Sequence, residues 1–336
     1  MSALQGQTIL VTGGAGFIGS HACKAIARAG GRPVAFDNLS TGHADAVKWG
    51  PLVRADVRDA AAVATALHSH GATAIIHFAA SAYVGESVTN PALYYDNNVG
   101  GMIGLLAGAR AANVGRIVFS SSCATYGIPD RLPITEDTPQ RPINPYGRTK
   151  LICEEMLRDH DAAYDLRFVA LRYFNAAGAD PEGELGERHD PETHLLPLAL
   201  RAAAGGRGLT VFGDDYPTAD GTCIRDYIHV SDLAHAHVLA LGYLTGGGAS
   251  VALNLGTGRG QSIIEVAEAI RAMTGRPVPM TFADRRPGDP PELTADPSRA
   301  REVLGFVASR SHITTLVADA APWFGLSADT RLRKEA

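Results

Sequence analysis

Two side chains that could move a proton lie four residues apart in the segment Tyr146-Gly-Arg-Thr-Lys150. The segment follows Asn144-Pro145, where a helix can begin, and residues i and i+4 of a helix share one face. A phenol loses its proton near pH ~10, and a fixed ammonium nearby favours the phenolate and lowers that pKa. The pair therefore suits acid–base work in alcohol–ketone chemistry. A surface tyrosine beside a solvated lysine is the alternative interpretation.

Three consecutive serines, Ser120, Ser121 and Ser122, precede this motif and follow a short apolar run that predicts a strand. Ligands of open α/β sheets bind beyond the carboxyl ends of the strands, so a hydroxyl here could hold a reacting oxygen against the Tyr146 phenol. We predict Ser122 for that role. We expect Ser120 and Ser121 to satisfy backbone groups where the strand ends.

A glycine-rich turn, Gly13-Gly-Ala-Gly16-Phe17-Ile18-Gly, stands between the first predicted strand and the first predicted helix. Glycine lets the backbone turn tightly and approach a pyrophosphate, and the helix N-terminus offers free N–H groups. The positive nicotinamide of such a dinucleotide would further favour a Tyr146 phenolate.

Asp37 ends the second predicted strand, where a carboxylate can accept hydrogen bonds from an adenosine ribose and would repel a 2′-phosphate. This favours NAD over NADP. The alternative is that Asp37-Asn38 only begins a turn. Asp56, at the end of the third predicted strand, could meet the adenine, but a plain loop is almost as good an interpretation.

The first half of the chain alternates short apolar stretches with helical patterns. The predicted strands are Thr8 to Thr12, Pro33 to Phe36, Leu52 to Ala55, Ala74 to Ala79, Arg116 to Ser120 and Phe168 to Leu171. The predicted helices cover Ser20 to Ala29, 59–69, 91–111 and 145–163. Such alternation is typical of the α/β class with a doubly wound parallel sheet, the Rossmann arrangement.

The pattern changes after Asn175. A loop-rich segment over 176–225 contains a predicted helix at Leu195 to Ala204 and a predicted strand at Thr210 to Phe212, and strand and helix signals return at Ile228 to Gly242 and Val251 to Leu255. We predict an NAD-binding Rossmann domain over residues 1–175, to which segments near 226–256 return. Residues 176–336 are predicted to form mainly a smaller α/β region that binds substrate.

The composition excludes several classes of protein. The 336 residues are 46% hydrophobic and carry a net charge of −5, which argues against disorder and against a protein that coats nucleic acid or an anionic membrane. No apolar run approaches the ~20 residues of a membrane span, no leader segment is evident, and the four cysteines show no CxxC pairing. We expect a cytoplasmic protein with free thiols. His229, His235 and His237 are interpreted as core or surface histidines, and no metal is predicted.

Together these motifs resemble the extended short-chain dehydrogenase/reductase superfamily, and within it the UDP-glucose 4-epimerase family. The resemblance covers nearly the whole chain, and its most specific segments are FGDDYPTADGTCIRDYIHVSDLA (212–234) and RRPGDPPE (285–292). It implies that UDP-glucose and UDP-galactose interconvert through oxidation at C4 to a 4-keto sugar and reduction on the opposite face. It also implies that NAD stays bound, that Tyr146, Lys150 and Ser122 act in catalysis, and that two chains form a homodimer through helices near 91–111 and 145–163.

The resemblance also assigns binding residues. For the cofactor they are Gly13, Gly16, Phe17 and Ile18 at the pyrophosphate, Asp37, Asn38, Asp56 and Val57 at the adenosine, and Phe78, Ala79, Ala80, Asn97 and Phe174 towards the nicotinamide. For the UDP-sugar they are Asn175, His194, Leu195, Phe212, Arg225, Arg286, Asp289 and Leu293. Two arginines can grip a diphosphate while an aromatic ring forms a wall for uracil. An exposed salt bridge is the alternative for each arginine.

Other reactions stay open at this stage. The position of Leu293 bears on whether an N-acetyl group fits, which keeps UDP-N-acetylhexosamine as an alternative substrate, and UDP-xylose/UDP-arabinose is a second one. A sugar-nucleotide 4,6-dehydratase would be expected to carry acids after the serine cluster, where Cys123-Ala-Thr125 stands. An NAD-binding sensor without turnover would be expected to lack Tyr146 or Lys150.

Overall fold

The computed structural model describes residues 4–286 and 289–334. Pro287 and Gly288 of the RRPGDPPE segment lie outside the described residues. Strands and helices alternate from the start of the described chain. The strands of the first half are β1 (Thr8–Thr12), β2 (Arg32–Asp37), β3 (Leu52–Arg54), β4 (Ala74–His77), β5 (Arg116–Ser122) and β6 (Arg167–Tyr173). The helices of the first half are α1 (Phe17–Arg28), α2 (Ala60–His70), α3 (Val84–Thr89), α4 (Pro91–Tyr94), α5 (Gly100–Ala111) and α6 (Pro145–Tyr164).

The second half adds shorter elements. Its strands are β7 (Asn175–Ala177), β8 (Leu209–Phe212), β9 (Ile224–His229), β10 (Val251–Leu255), β11 (Gly260–Ser262), β12 (Met280–Ala283) and β13 (Glu292–Leu293). Its helices are α7 (Leu195–Ala203), α8 (Val230–Thr245), α9 (Ile263–Thr274), α10 (Ser298–Leu304) and α11 (Ile313–Ala320). Within the described residues, none of the helices combines the length and the apolar character that crossing a bilayer requires.

The predicted α/β class with a doubly wound parallel sheet is confirmed. Seven parallel strands lie in the order β10-β6-β5-β4-β1-β2-β3. The inner strands are almost fully buried because apolar clusters cover both faces, one shared with α1, α8 and α10 and the other with α2, α5 and α6. The edge strand β3 is half-buried to exposed. The strand order reverses at β1 and β4, and ligands of such sheets bind at that reversal, outside the carboxyl ends.

The remaining strands build a smaller layer. β9 lies at its centre and pairs with β7, β11 and β13, while β8 pairs with β12. A separate apolar core joins α7, α9 and α11 to these strands. The chain then returns to the large sheet, since α8 packs against α1 and β10 pairs with β6. α10 also packs on the large sheet, through Ala300, which the sequence prediction had left in the C-terminal region.

Several element bounds differ from the predictions. α1 begins at Phe17 rather than Ser20, because Gly16 already serves as its N-cap. The predicted helix over 91–111 is divided by a π-helical turn at Tyr95–Val99, a type of irregularity that often lies at functional sites. β5 continues through Ser122 because its parallel pairing with β6 continues as far as Tyr173.

Candidate active site

The glycine turn between β1 and α1 forms an open cradle. Gly13 has a φ of +69°, and a Cβ atom there would lie 2.7 Å from the backbone nitrogen of Ala79, so only glycine fits. Gly16 caps α1 without any side-chain hydrogen bond, and no acidic residue lies in the first turn, which holds Phe17 and Ile18. A Cβ atom on Gly16 would lie 3.3 Å from the Gly13 carbonyl oxygen. Among the described residues, and apart from the two chain neighbours of Gly16, it would have no other heavy atom within 4 Å. A pyrophosphate fits this uncapped N-terminus, since backbone N–H groups and the helix dipole face it.

Asp37 faces the same turn from the end of β2. Its carboxylate accepts hydrogen bonds from the backbone N–H of Ala15 at 3.0 Å and of Leu39 at 2.8 Å. The turn at Asp37-Asn38 therefore exists, and the same carboxylate also lies against the glycine turn. Each oxygen keeps a lone pair for a ribose hydroxyl, so the turn and the ribose interpretations are compatible.

Asn38 and Asp56 lie together beyond the ends of β2 and β3. The Asn38 amide donates to the Asp56 carboxylate at 3.1 Å, and the Arg58 guanidinium beside Asp56 holds the pKa of that carboxyl well below its usual range. Val57 differs from its neighbours because its side chain is buried under α5, where a Cβ on Gly101 would lie 2.9 Å from it. Only the Val57 backbone is therefore suited to contact an adenine.

The segment after β4 lies at the same carboxyl edge of the large sheet. The backbone N–H of Phe78 donates to the Thr12 carbonyl at 3.0 Å, and its ring lies 4.5 Å from the His237 ring. Ala79 packs over Gly13, and Ala80 follows it. The Asn97 amide, from the π-helical turn, donates to the Ser81 hydroxyl at 3.1 Å. These residues line the edge between β1 and β4, where the strand order reverses.

Tyr146, Ser122 and Lys150 meet at the carboxyl end of β5. The Asn144 side chain and Pro145 begin α6, which places Tyr146 and Lys150 on one buried helix face. The Ser122 hydroxyl lies beside the Tyr146 phenol and, as a donor to the phenolate, acts against the rise of its pKa. The Lys150 ammonium donates to the Ser120 carbonyl at 2.7 Å and lies 5.8 Å from the centre of the Tyr146 ring. Phenol and ammonium therefore line one space, as the spacing predicted, and the Ser122 hydroxyl lies beside them.

The protonation equilibria of this group differ from the prediction. Burial raises the pKa of the Tyr146 phenol far above its ordinary value, whereas we predicted a lowered one. The reason is that Lys150 donates to the Ser120 carbonyl rather than to the phenol, so burial outweighs its charge. Burial also lowers the pKa of the Lys150 ammonium to about 8. The phenol is thus neutral at pH 7 in the protein alone.

The other two serines do not serve the role that we expected. The Ser120 hydroxyl bonds the Tyr173 hydroxyl at 2.5 Å, and the Ser121 hydroxyl donates to the Glu154 carboxylate at 2.6 Å. Both side chains bind side chains rather than backbone groups, because the neighbouring elements supply partners at those positions. Of the three serines, Ser122 is the one that acts on the Tyr146 phenol, and its hydroxyl also accepts a hydrogen bond from the Ala124 N–H at 3.1 Å.

A buried polar network behind β5 was not found from the sequence. Arg172 pairs with Glu154 through two hydrogen bonds of 2.9 and 2.6 Å, and both side chains are almost fully buried. Arg172 also donates to the Tyr126 hydroxyl at 2.8 Å. Asn98 was missed as well, although it lies in the same segment as Asn97, and its amide joins the Ser81 carbonyl to the Thr149 hydroxyl on α6. For Arg172, the available signal was a charged residue within the otherwise apolar run Phe168–Phe174.

Several predicted UDP-sugar residues share the smaller sheet. Asn175 lies opposite Tyr227 in the pairing of β7 with β9, and Arg225 lies opposite Leu293 in the pairing of β9 with β13. Leu293 packs against a small cluster that includes Phe174. Phe174, predicted beside the nicotinamide, and Leu293, predicted beside the sugar, therefore belong to the same small apolar cluster.

The two arginines are held differently. Arg225 is mostly buried and forms an ion pair with Asp289. The exposed Arg286 guanidinium lies 3.9 Å from the centre of the Phe212 ring, in a cation–π contact. Neither arginine is simply a solvated surface charge, and both keep N–H donors for a diphosphate.

His194 and Leu195 lie at the start of α7. Leu195 packs against the apolar core of the smaller layer. The His194 ring bonds the Glu187 carboxylate at 2.5 Å and lies 5.2 Å from the His189 ring. The described contacts of His194 are therefore with this charged cluster rather than with Arg225 or Arg286.

Comparison with known proteins gives a consistent result. The profile of the NAD dependent epimerase/dehydratase family matches residues 9–256. A curated relative from Rhizobium meliloti (strain 1021), named UDP-glucose 4-epimerase, is 56% identical over 304 residues, which are 90% of this chain and 93% of the relative. The crystal structure of UDP-glucose 4-epimerase from Brucella ovis in complex with NAD is 58% identical, with a TM-score of 0.95, over 96% of this chain and 100% of that one.

A more distant structure shows a sugar nucleotide. It is a UDP-glucose-4-epimerase from Stenotrophomonas maltophila with bound NAD and formylated UDP-arabinopyranose, and it is 42% identical to this chain. Its TM-score is 0.92, over 95% of this chain and 98% of that one.

Proposed function

The chain belongs to the NAD dependent epimerase/dehydratase family, and on that premise we propose that it is an isomerase that interconverts UDP-glucose and UDP-galactose with bound NAD. The observation that carries this proposal is the placement of Tyr146 beside Ser122 at the carboxyl end of the sheet, with Lys150 on the same helix face. The identity of 56% to a curated UDP-glucose 4-epimerase supports it.

The glycine turn and the ends of β2 and β4 fit NAD. The uncapped N-terminus of α1 is suited to the pyrophosphate, and the Asp37 carboxylate to the adenosine ribose. When bound, NAD supplies the redox step, since its nicotinamide can take up and return the hydrogen at C4 of the sugar. Because the hydrogen is returned, NAD is not consumed.

Tyr146 acts as the acid–base group that takes up and returns the proton of the C4 hydroxyl. Its phenol is buried beside the Ser122 hydroxyl, so a sugar oxygen placed between the two hydroxyls would contact both. Removal of that proton requires the phenolate, which burial disfavours. The Lys150 ammonium, fixed by the Ser120 carbonyl, supplies the positive charge that stabilises the phenolate once the reactants exclude water.

The arginines hold the nucleotide while the sugar stays free to turn. Arg225 is pre-oriented by Asp289, and Arg286 lies over Phe212, so a diphosphate and a uracil would be gripped from two elements. The sugar pocket presents Leu293 and Phe174, which offer apolar contact and few directional hydrogen bonds. Tight binding of UDP with a loosely held 4-keto sugar allows the ring to present its other face before it is reduced.

The dehydratase alternative finds no support in the site. The residues after Ser122, Cys123–Thr125, form a 3₁₀ turn and carry no carboxylate. The names of the relatives favour the hexose pair over pentose or N-acetylated sugars.

The function is tested by offering purified protein each UDP-sugar separately and following the products by NMR. We expect UDP-glucose and UDP-galactose to reach the same mixture from either side, without release of NADH. If only a pentose or an N-acetylated pair equilibrated, the assigned substrate would be wrong. Stoichiometric NADH release would instead indicate a dehydrogenase.

We also propose that the chain works as a homodimer. Helices α3, α4 and α5 expose Val84, Leu93 and Ile103, and an apolar surface of this kind is typical of an interface. Replacement of Ile103 by Glu should convert the dimer to a monomer in light scattering. Ile128 has the same exposed fraction, 57%, and lies outside these helices, so Ile128→Glu is the matched control. An Ile103→Glu protein that stays dimeric would place the interface elsewhere.

We propose the cytoplasm as the site of action. All four cysteines are free, and Cys23, Cys153 and Cys223 are buried, which agrees with a reducing compartment.

A further inference from the structure

Four metal-binding side chains converge in the segment between β7 and α7. Glu187, His189, Glu192 and His194 each offer one ligand atom, and these atoms all lie within 4.8 Å of one another. Glu187 Oε1 is 3.0 Å from His189 Nδ1 and 2.5 Å from His194 Nδ1. Glu192 Oε1 is 3.9 and 3.7 Å from the same two nitrogens.

A second observation concerns the Glu192 carboxylate alone. Its side chain is completely buried, and its Oε2 has no hydrogen-bond partner among the described residues. Its other oxygen accepts from the backbone N–H groups of Thr193 and His194. The Glu187 side chain is also buried, and in the described part of the chain neither carboxylate forms an ion pair with lysine or arginine. A buried carboxylate oxygen without a donor is costly, and a cation would remove that cost.

A neighbouring acidic cluster shows how such a site is otherwise neutralised. Asp180, Glu182 and Glu184 lie together in the same loop, and the Lys24 ammonium bonds all three, at distances of 2.5 to 3.0 Å. The lysine occupies the position of a cation there. Among the residues that the structure describes, no lysine ammonium lies in the cluster of Glu187, His189, Glu192 and His194.

We propose that Glu187, His189, Glu192 and His194 bind one divalent transition metal ion, with Zn²⁺ as the best match. Two imidazole nitrogens and two carboxylate oxygens are ligands that zinc accepts in a tetrahedral arrangement. Bonds of about 2.0–2.2 Å to zinc place neighbouring ligand atoms ~3.3–3.6 Å apart, and the four distances between glutamate and histidine atoms bracket that range. Mg²⁺ and Ca²⁺ prefer oxygen ligands and suit the histidines poorly.

The metal would fix the segment that leads into α7. The His189 ring centre lies 6.3 Å from that of Phe17, at the start of α1, and 6.0 Å from that of Tyr83. The ion would thus hold this loop beside the N-terminus of α1.

The test uses the full chain without a histidine tag, with its NAD retained. The protein is treated with a chelator, dialysed against micromolar Zn²⁺ and then against metal-free buffer, and its metal content is measured by mass spectrometry. We expect one zinc per chain. Replacement with Co²⁺ should give the visible absorption bands of a tetrahedral ion, a readout that does not depend on activity.

Variants separate this site from general affinity for metals. Glu192→Gln keeps the size of the side chain, and His189→Gln removes one nitrogen ligand; each should weaken zinc binding in calorimetry by at least about tenfold. Glu182→Gln, in the cluster that Lys24 neutralises, is the matched control and should bind zinc like the parent. Retention of no zinc by the parent, or equal binding by the parent and both ligand variants, would overturn the proposal.

Discussion

Replacement of Tyr146 by Phe removes a single oxygen atom from the centre of the site. The phenol lies beside the Ser122 hydroxyl, and its residue is only 8% exposed. A neutral hydrogen bond contributes about 1 kcal/mol, so the free energy of unfolding should fall by no more than that amount. A positioned acid–base group contributes about 10²–10⁴-fold to rate, which corresponds to about 2.7–5.4 kcal/mol in the activation barrier. The variant should therefore lose most of its activity while it keeps most of its stability.

The assay compares three quantities in parent and variant. These are the initial rate of UDP-galactose conversion, the amount of NAD released on denaturation, and the free energy of unfolding from denaturant titration. We expect the rate of Tyr146→Phe to fall by at least about 10²-fold while the bound NAD is unchanged.

Tyr173→Phe is the matched control. The Tyr173 hydroxyl bonds Ser120, on the same strand as Ser122, but it has no part in the proposed proton transfer. Its loss should leave the rate within about tenfold of the parent. If Tyr146→Phe kept a rate within tenfold of the parent, or if both variants lost activity equally, the role assigned to the Tyr146 phenol would be refuted.

Three further changes test other parts of the structure. Gly13→Ala places a Cβ atom 2.7 Å from the Ala79 nitrogen at a φ of +69°, so we expect loss of bound NAD and about 1–3 kcal/mol of stability, measured by cofactor absorbance and denaturant titration. Arg172→Met leaves the Glu154 carboxylate buried without its main partner, and the free energy of unfolding should fall by about 3–5 kcal/mol. The Lys150 ammonium, whose pKa is lowered to about 8, is charged below that pH and neutral above it, so kcat/KM should fall as pH rises through 8. Lys150→Arg keeps its charge throughout and should lose that alkaline decline, although it is slower; an unchanged decline would assign it to another group.

Local patterns in the sequence were sufficient to predict the main framework. The strands at Thr8–Thr12 and Val251–Leu255 have the predicted bounds, and α6 starts at the predicted Pro145. These features depend on neighbours along the chain: apolar runs, a helix start signal and glycine at a tight turn. The side-chain period of a helix likewise brings Tyr146 and Lys150 to one face before any tertiary contact is considered.

Chain geometry could have predicted more of the serine cluster than we inferred. Side chains alternate along a strand, so Ser120 and Ser122 share one face of β5 while Ser121 points to the other. Ser121 does bond a different element from Ser120, since it reaches Glu154 on α6 while Ser120 bonds Tyr173 on β6. Which partner each hydroxyl meets, however, depends on β6 and α6, which lie some 30 to 50 residues further along the chain.

The sequence alone thus determined the glycine turn, the Tyr146–Lys150 spacing and the alternation of strands and helices, because each is a short-range property of the chain. Only the tertiary structure decided that Lys150 binds the Ser120 carbonyl, that burial raises the pKa of Tyr146, and that Arg172 pairs with Glu154. It also decided that Lys24 neutralises one acidic cluster while the neighbouring one keeps an unpaired carboxylate oxygen. Desolvation and the pairing of buried charges depend on which distant segments pack together, and no local pattern encodes that packing.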